Sequence, residues 1–148
     1  MRLFGIDNNG EFKEFIEIPF QTSHQESVLE EWLESNPEGI IEDGNLLIIG
    51  RQVTTNLGSM IDLLAIDSRG DLVVLELKRD RTPRDTLAQS LEYVSFVEQL
   101  NLEQLEEILC TYTNDDSVSL ADYHRQYFEL GSDDAVAFNK DQRIVIVG

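Results

Sequence analysis

Cysteine, histidine and basic side chains are all scarce in this chain: one Cys, two His and 11 Lys or Arg among 148 residues. The single thiol, Cys110, excludes an internal disulfide and any cysteine-rich metal cluster, and it reads as a small core residue near a helix end. His24 and His124 lie far apart and have no metal-ligand spacing, so both read as ordinary surface or partly buried histidines. No Ser/His/Asp or Cys/His arrangement stands out, and no Gly-rich phosphate-cradling loop occurs. No apolar run approaches the length of a membrane span. Residues 1–10 lack a signal-peptide pattern, so the expected location is the cytoplasm, with no membrane partner.

Acid is what the chain has in excess. Asp and Glu number 29, giving a net charge of −18, which opposes nucleic acid as a partner on bulk electrostatics. The distribution qualifies that. Residues 1–50 carry 11 acids and 2 bases, 51–100 carry 8 and 6, and 101–148 carry 10 and 3, so the blocks are −9, −2 and −7. Four bases of the middle block cluster at Lys78, Arg79, Arg81 and Arg84. Arg51 and the Arg79, Arg81, Arg84 group are candidate phosphate contacts, with a solvated surface as the competing reading. A hydrophobic content of 41% and this length fit one globular domain with a real core.

The pattern predicts a mixed α/β domain. Residues 2–6 and 12–18 read as strands around the turn Asp7-Asn8-Asn9-Gly10, a hairpin appendage over 1–19. Ser23-His24-Gln25-Glu26 matches a capping box opening a helix, with Val28, Leu29, Trp32 and Leu33 at helical spacing. Asn36-Pro37-Glu38-Gly39 stops it. Strands follow at 46–53, 60–66 and 72–78. Thr82-Pro83-Arg84-Asp85 opens a helix running to about Leu100, with Thr82 as cap and Pro83 at the first helical position. Two more helices, near 102–110 and 119–130, precede a strand at 143–147. Residues 20–148 form the main domain. A strand ending at the last residues predicts a fragment whose parent chain continues.

Side chains alternate along a strand, so Glu76 and Lys78 share a face while Leu75 and Leu77 point the other way. Gly70 suits the left-handed position of a three-residue loop with a bulge, which pairs Asp67 with Asp71. Counting back, Asp62 falls opposite Glu76, and opposed residues have Cβ atoms about 5 Å apart. Two carboxylates at that separation repel unless compensated. A divalent cation with hard oxygen ligands, magnesium or manganese, compensates them. Lys78 adds positive charge where a phosphorane develops, and helps generate or orient an attacking hydroxide. The competing reading is a plain Glu76–Lys78 ion pair with Asp62 at an exposed strand end. Against it stand Val73, Val74, Leu75 and Leu77, because buried strands rarely keep ionic residues without a reason.

The run Gly58-Ser59-Met60-Ile61-Asp62-Leu63-Leu64-Ala65, then Gly70, then Val73-Val74-Leu75-Glu76-Leu77-Lys78-Arg79, resembles the core of PD-(D/E)XK nucleases. It is most similar to the NucS (EndoMS) nuclease domain and its uncharacterised relatives. The likeness extends to Glu26-Ser27-Val28-Leu29-Glu30 with Asn36-Pro37 and to Gln89-Ser90-Leu91-Glu92-Tyr93, over roughly residues 20–100. Ile61 stands where the motif is usually written with proline.

The resemblance implies a restriction-endonuclease-like mixed sheet flanked by helices. It makes Asp62 and Glu76 metal ligands, with the Leu77 carbonyl as another, and Lys78 the catalytic lysine. Glu26 matches the first-helix acid that completes the metal or water shell, a role in competition with capping. Gln89 matches the second-helix glutamine near the site, with Tyr93 one turn later. These two share a helix face, so a hydrogen-bonded pair packing on the sheet competes with a site role for Gln89, and for Tyr93 the reading is packing or a backbone contact, with Tyr93 counted among the candidate nucleic-acid contacts. The implied activity is a Mg2+- or Mn2+-dependent endodeoxyribonuclease acting in DNA repair or defence, with DNA as partner and a possible homodimer. A non-catalytic nucleic-acid- or protein-binding module on the same fold is the alternative. A nuclease acting on RNA is a third reading.

Overall fold

The run Leu72–Leu77 is buried at all six positions, and the sheet is built outward from it. The computed structural model describes residues 3–6, 8–16, 25–42, 44–78 and 83–147. The main sheet holds four strands: β3 (Leu47–Thr54), β4 (Met60–Ile66), β5 (Leu72–Leu77) and β6 (Gln142–Val147), in that order. Pairs β3–β4 and β4–β5 are antiparallel; β5–β6 is parallel. A parallel neighbour needs a crossover. Three helices lie along it: α2 (Pro83–Val97), α3 (Leu102–Thr113) and α4 (Leu120–Tyr127). Helix α1 (Glu26–Ser35) precedes the sheet. A separate two-stranded sheet pairs β1 (Leu3–Ile6) with β2 (Phe12–Phe15).

The sheet has helices on both faces. One core joins Ile49, Leu64, Ile66, Leu72 and Val74 to Tyr93 and Val97 of α2 and to Leu105 and Leu109 of α3. The other joins Leu63, Val73, Leu75 and Leu77 to Leu29 and Leu33 of α1. Period-two alternation along β5 deals its side chains to these two cores in turn. The expected fold class, a restriction-endonuclease-like α/β domain with an N-terminal hairpin, is therefore what the chain adopts.

Several local expectations change. Helix α1 begins at Glu26 with Gln25 as its N-cap, and Gln25 makes no side-chain cap bond. Glu26 is thus the first helical residue, not the third, and cannot close the expected capping box; Ser23 and His24 lie outside the described residues. The Thr82 cap and the bases Arg79 and Arg81 also fall outside them. Trp32 is exposed rather than part of the apolar stripe. Cys110 is only half-buried, its Sγ 3.5 Å from the Val118 carbonyl. His124 is fully buried: one ring nitrogen sits 2.8 Å from the Asp67 carbonyl, and the ring packs between Phe128 and Phe138. Helix α3 carries a capping box that the spacing reading passed over, Asn101 with Gln104. Among the described residues no helix is long and apolar enough to cross a membrane.

Candidate active site

The turn after β4 sets the geometry. Asp67 N–H donates to the Asp71 carbonyl at 3.0 Å, and Gly70 N–H donates to the Asp67 carbonyl at 3.0 Å. Gly70 takes the left-handed conformation, φ +90°. This is the three-residue loop with a bulge, and it fixes the register Ile66↔Leu72 through Leu63↔Leu75. Continued, that ladder would pair Asp62 with Glu76 and give the Leu77 N–H to the Ile61 carbonyl. Regular pairing stops one residue short. Asp62 Oδ2 accepts the Leu77 N–H instead, at 2.8 Å. Ile61 leaves the alternation and packs with Leu64, Ile66 and Tyr93. The two strands part here, and a carboxylate side chain takes over a bond of the ladder.

Glu76 is 2% exposed although ionisable. Its Oε1 lies 2.7 Å from Lys78 Nζ, while Oε2 is buried and has no hydrogen-bond partner among the described residues. Such a group is costly unless something arrives to meet it. Burial raises the Glu76 pKa; the Lys78 hydrogen bond opposes this, and the charges of Asp62 and Glu26 add to it. Burial likewise raises the Asp62 pKa against the Leu77 N–H bond, with the charge of Glu30 adding to the rise. For Lys78, burial alone favours the neutral amine, but the hydrogen bond to Glu76 and the surrounding carboxylates outweigh it and lift the pKa. The same contacts favour the charged ammonium form of Lys78.

The other candidates are placed as follows. Glu26 is exposed at the start of α1 and is felt electrostatically by Glu76 and Lys78. Gln89 donates from Nε2 to Tyr93 Oη at 2.6 Å, and Tyr93 donates to the Met60 carbonyl at 2.7 Å. Tyr93 is fully buried, so as a nucleic-acid contact it is corrected: its hydroxyl pins α2 to the strand residue two before Asp62. Removing that hydroxyl by Tyr93→Phe takes away the donor to the part-buried Met60 carbonyl and the acceptor of the Gln89 amide. It is expected to cost about 1–3 kcal/mol in denaturant unfolding. Arg84 is exposed. Arg51 is held in-chain, with Nε 2.7 Å from Glu30 and a terminal nitrogen 2.8 Å from Glu34. These pairs engage a guanidinium that the sequence offered to phosphates.

Glu30, Glu34 and Gln52 carry no role in the sequence reading. Glu30 is buried, and its Oε1 accepts from both Arg51 and Gln52. Tyr112 donates to Glu34 Oε1 at 2.7 Å, and burial followed by that bond raises the tyrosine pKa. A signal for this network was available: Glu26, Glu30 and Glu34 recur every fourth residue and share one helix face. A cleft of about 660 Å³ between β3 and helices α2 and α3 is lined in part by Arg51, Gln52, Phe96 and Tyr112; Asp62, Glu76 and Lys78 do not line it.

Among the described residues no three His, Cys, Asp or Glu side chains are gathered closely enough to cage a metal ion. Among the described residues the donors are the carboxylates of Asp62 and Glu76, the latter with a buried oxygen that has no hydrogen-bond partner there. That set fits magnesium or manganese, which bind through one or two carboxylates plus water and substrate phosphate rather than in all-protein cages.

Glu76→Gln tests the electrostatic cost directly. A carboxyl whose folded pKa is raised binds protons more readily when folded, so stability falls as pH climbs from the ordinary carboxylate value through the raised one. Above that value the loss persists. Glu76→Gln is therefore expected to unfold a few degrees above the wild type at neutral pH. The gap should close below about pH 4, where unfolded carboxyls protonate. Thermal unfolding at both pH values measures it.

The mixed four-stranded sheet with helices on both faces is the architecture of a restriction-endonuclease-like domain. Residues 25–120 match the family model described as the endonuclease NucS C-terminal domain, and the chain belongs to that family. Two solved structures are similar. One is a repair endonuclease from Pyrococcus abyssi, 28% identical over 52% of this chain and 33% of that one, with a TM-score of 0.45. The other is an EndoMS-dsDNA2 complex, 23% identical over 93% of this chain and 49% of that one, with a TM-score of 0.43. The chain thus spans a third to a half of the length of these structures. No curated protein matches it. Family membership relates the chain to endonucleases of the NucS type.

Proposed function

We propose that this chain is a Mg2+- or Mn2+-dependent endonuclease domain that hydrolyses DNA phosphodiester bonds at Asp62, Glu76 and Lys78. The observation that carries the reading is Glu76 Oε2, a buried carboxylate oxygen with no hydrogen-bond partner among the described residues, beside Lys78 and next to the point where β4 and β5 part. Asp62, Glu76 and the Leu77 carbonyl would hold the cation, with Glu26 completing the metal or water shell and Gln89 beside it. The cation would supply neutralisation of the carboxylates and activation of water for attack on phosphorus. Lys78, kept protonated by its neighbours, places positive charge where the phosphate gains negative charge. Asp62, tied to the Leu77 N–H, keeps that backbone segment in a fixed place. Arg84, with Arg79 and Arg81, would meet the phosphate backbone, and the solved EndoMS-dsDNA2 complex supports duplex DNA as the substrate class.

A second reading is favoured by two observations, the net charge of −18 and the commitment of Arg51 to Glu30 and Glu34. It is a binding module on the nuclease fold that does not cleave. Manganese titration by calorimetry, followed by cleavage of single-stranded, mismatched and branched DNA, separates the two. Binding of about one manganese with cleavage is the expected result. A wild type that binds no manganese at neutral pH would sink the metal site and leave the binding module.

A further inference from the structure

We propose that Gln52 is a positioning residue, fixing the Asp62 carboxylate and keeping Glu30 away from it; this rests on the metal-site reading above. Gln52 stands on β3 between the pairs Arg51↔Leu63 and Val53↔Ile61, directly across from Asp62. Its amide Nε2 donates to Asp62 Oδ1 at 3.3 Å and to Glu30 Oε1 at 3.1 Å. One uncharged NH2 group thus spends its two hydrogens on two facing carboxylates. Together with the Leu77 N–H on Oδ2, it holds Asp62 by both oxygens. Without it, the charge of Glu30, which already raises the Asp62 pKa, would act on a carboxylate held at one oxygen only.

The backbone shows what this placement costs. Gln52 has φ 51°, a left-handed conformation that glycine adopts freely and a glutamine does not. A bulge between Ile48 and Gly50 shifts the register just before it. The side chain is exposed, so core packing does not account for a strained glutamine at this position. Strain of this kind persists where the surroundings hold it, and it gathers at functional sites. Groups that orient a metal ligand typically change metal affinity or activity 10- to 100-fold when removed.

Two variants separate side chain from backbone. Gln52→Gly removes the amide and relieves the left-handed strain; Gln52→Met removes the amide and keeps the length. Manganese affinity is measured by calorimetry, with thermal unfolding of each protein without metal. The expected result is about tenfold weaker manganese binding in both variants, with Gln52→Gly melting at or above the wild-type temperature. A merely structural glutamine would instead lower the melting temperature and leave the affinity alone. Wild-type affinity in a folded Gln52→Gly protein overturns the inference while leaving the metal site standing. A wild type that binds no manganese overturns the metal site and this inference together.

Discussion

Asp62→Asn and Lys78→Ala are each expected to lower the rate of DNA cleavage by about 10²–10³-fold or more, and to do so for different reasons. Removing one preorganised electrostatic group from a transition state costs on that order, roughly 3–4 kcal/mol of barrier. Asparagine keeps an oxygen for the Leu77 N–H, so the parting of β4 and β5 is preserved while the negative charge is lost. Manganese binding should therefore fall with activity in Asp62→Asn. Lys78→Ala removes a cation instead, leaving Glu76 without the ion pair that meets its Oε1. That variant should bind manganese at least as well as the wild type and still fail to cleave. This split between binding and turnover distinguishes a metal ligand from a charge that serves the reacting phosphate. Groups acting as a unit are not additive, so the double variant should be little worse than either single one. Cleavage that persists in both single variants would refute the assignment.

The pairing behind this prediction was legible because one turn governs it. Asp67-Ser68-Arg69-Gly70 fixes which residues of β4 and β5 face each other, and period-two alternation carries that register to Asp62 and Glu76. What alternation could not deliver was the last step. Regular pairing ends at Leu63↔Leu75, and a side-chain bond to the backbone of Leu77 replaces the ladder. Apolar patterning says nothing about where a ladder stops. Strand β3 hid more. One inserted residue moves every later side chain to the other face, and the bulge between Ile48 and Gly50 does this just before Arg51 and Gln52. Arg51, a candidate phosphate contact with a solvated surface as the competing reading, meets Glu30 and Glu34. The full burial of His124, and the carbonyl that Tyr93 meets, were hidden for another reason. The polar atoms of both side chains find partners far along the chain, the carbonyls of Met60 in β4 and of Asp67 in the turn after it, and no local window of sequence contains those partners.

Gly70→Ala is expected to cost about 2–5 kcal/mol of stability, the largest loss foreseen for a single methyl group here. Two terms add. An L-residue in the left-handed region costs about 1–2 kcal/mol, and φ +90° lies beyond the well that alanine tolerates best. Space is the second term. A Cβ at this position would lie 2.6 Å from Val136 Cγ1 and 3.0 Å from the Ala137 carbonyl oxygen. Forcing it in costs roughly 1–3 kcal/mol more. The segment cannot simply retreat, because the Gly70 carbonyl accepts the Asn139 N–H at 2.8 Å and His124 sits against the Asp67 carbonyl at the same turn. The melting temperature should drop by about 5–15 °C for a domain of this size. Two further variants apportion the loss. Gly70→Asn, which accepts left-handed backbone more readily, should recover only the conformational part. Adding Val136→Ala to Gly70→Ala should recover only part of the steric one, since the Ala137 carbonyl remains. The turn lies at the opposite end of the hairpin from Asp62 and Glu76. Well below its melting point Gly70→Ala should therefore bind manganese like the wild type, losing stability without losing the site. Unfolding of Gly70→Ala within a degree of the wild type would mean that the turn relaxes freely, and it would remove the reason for glycine there.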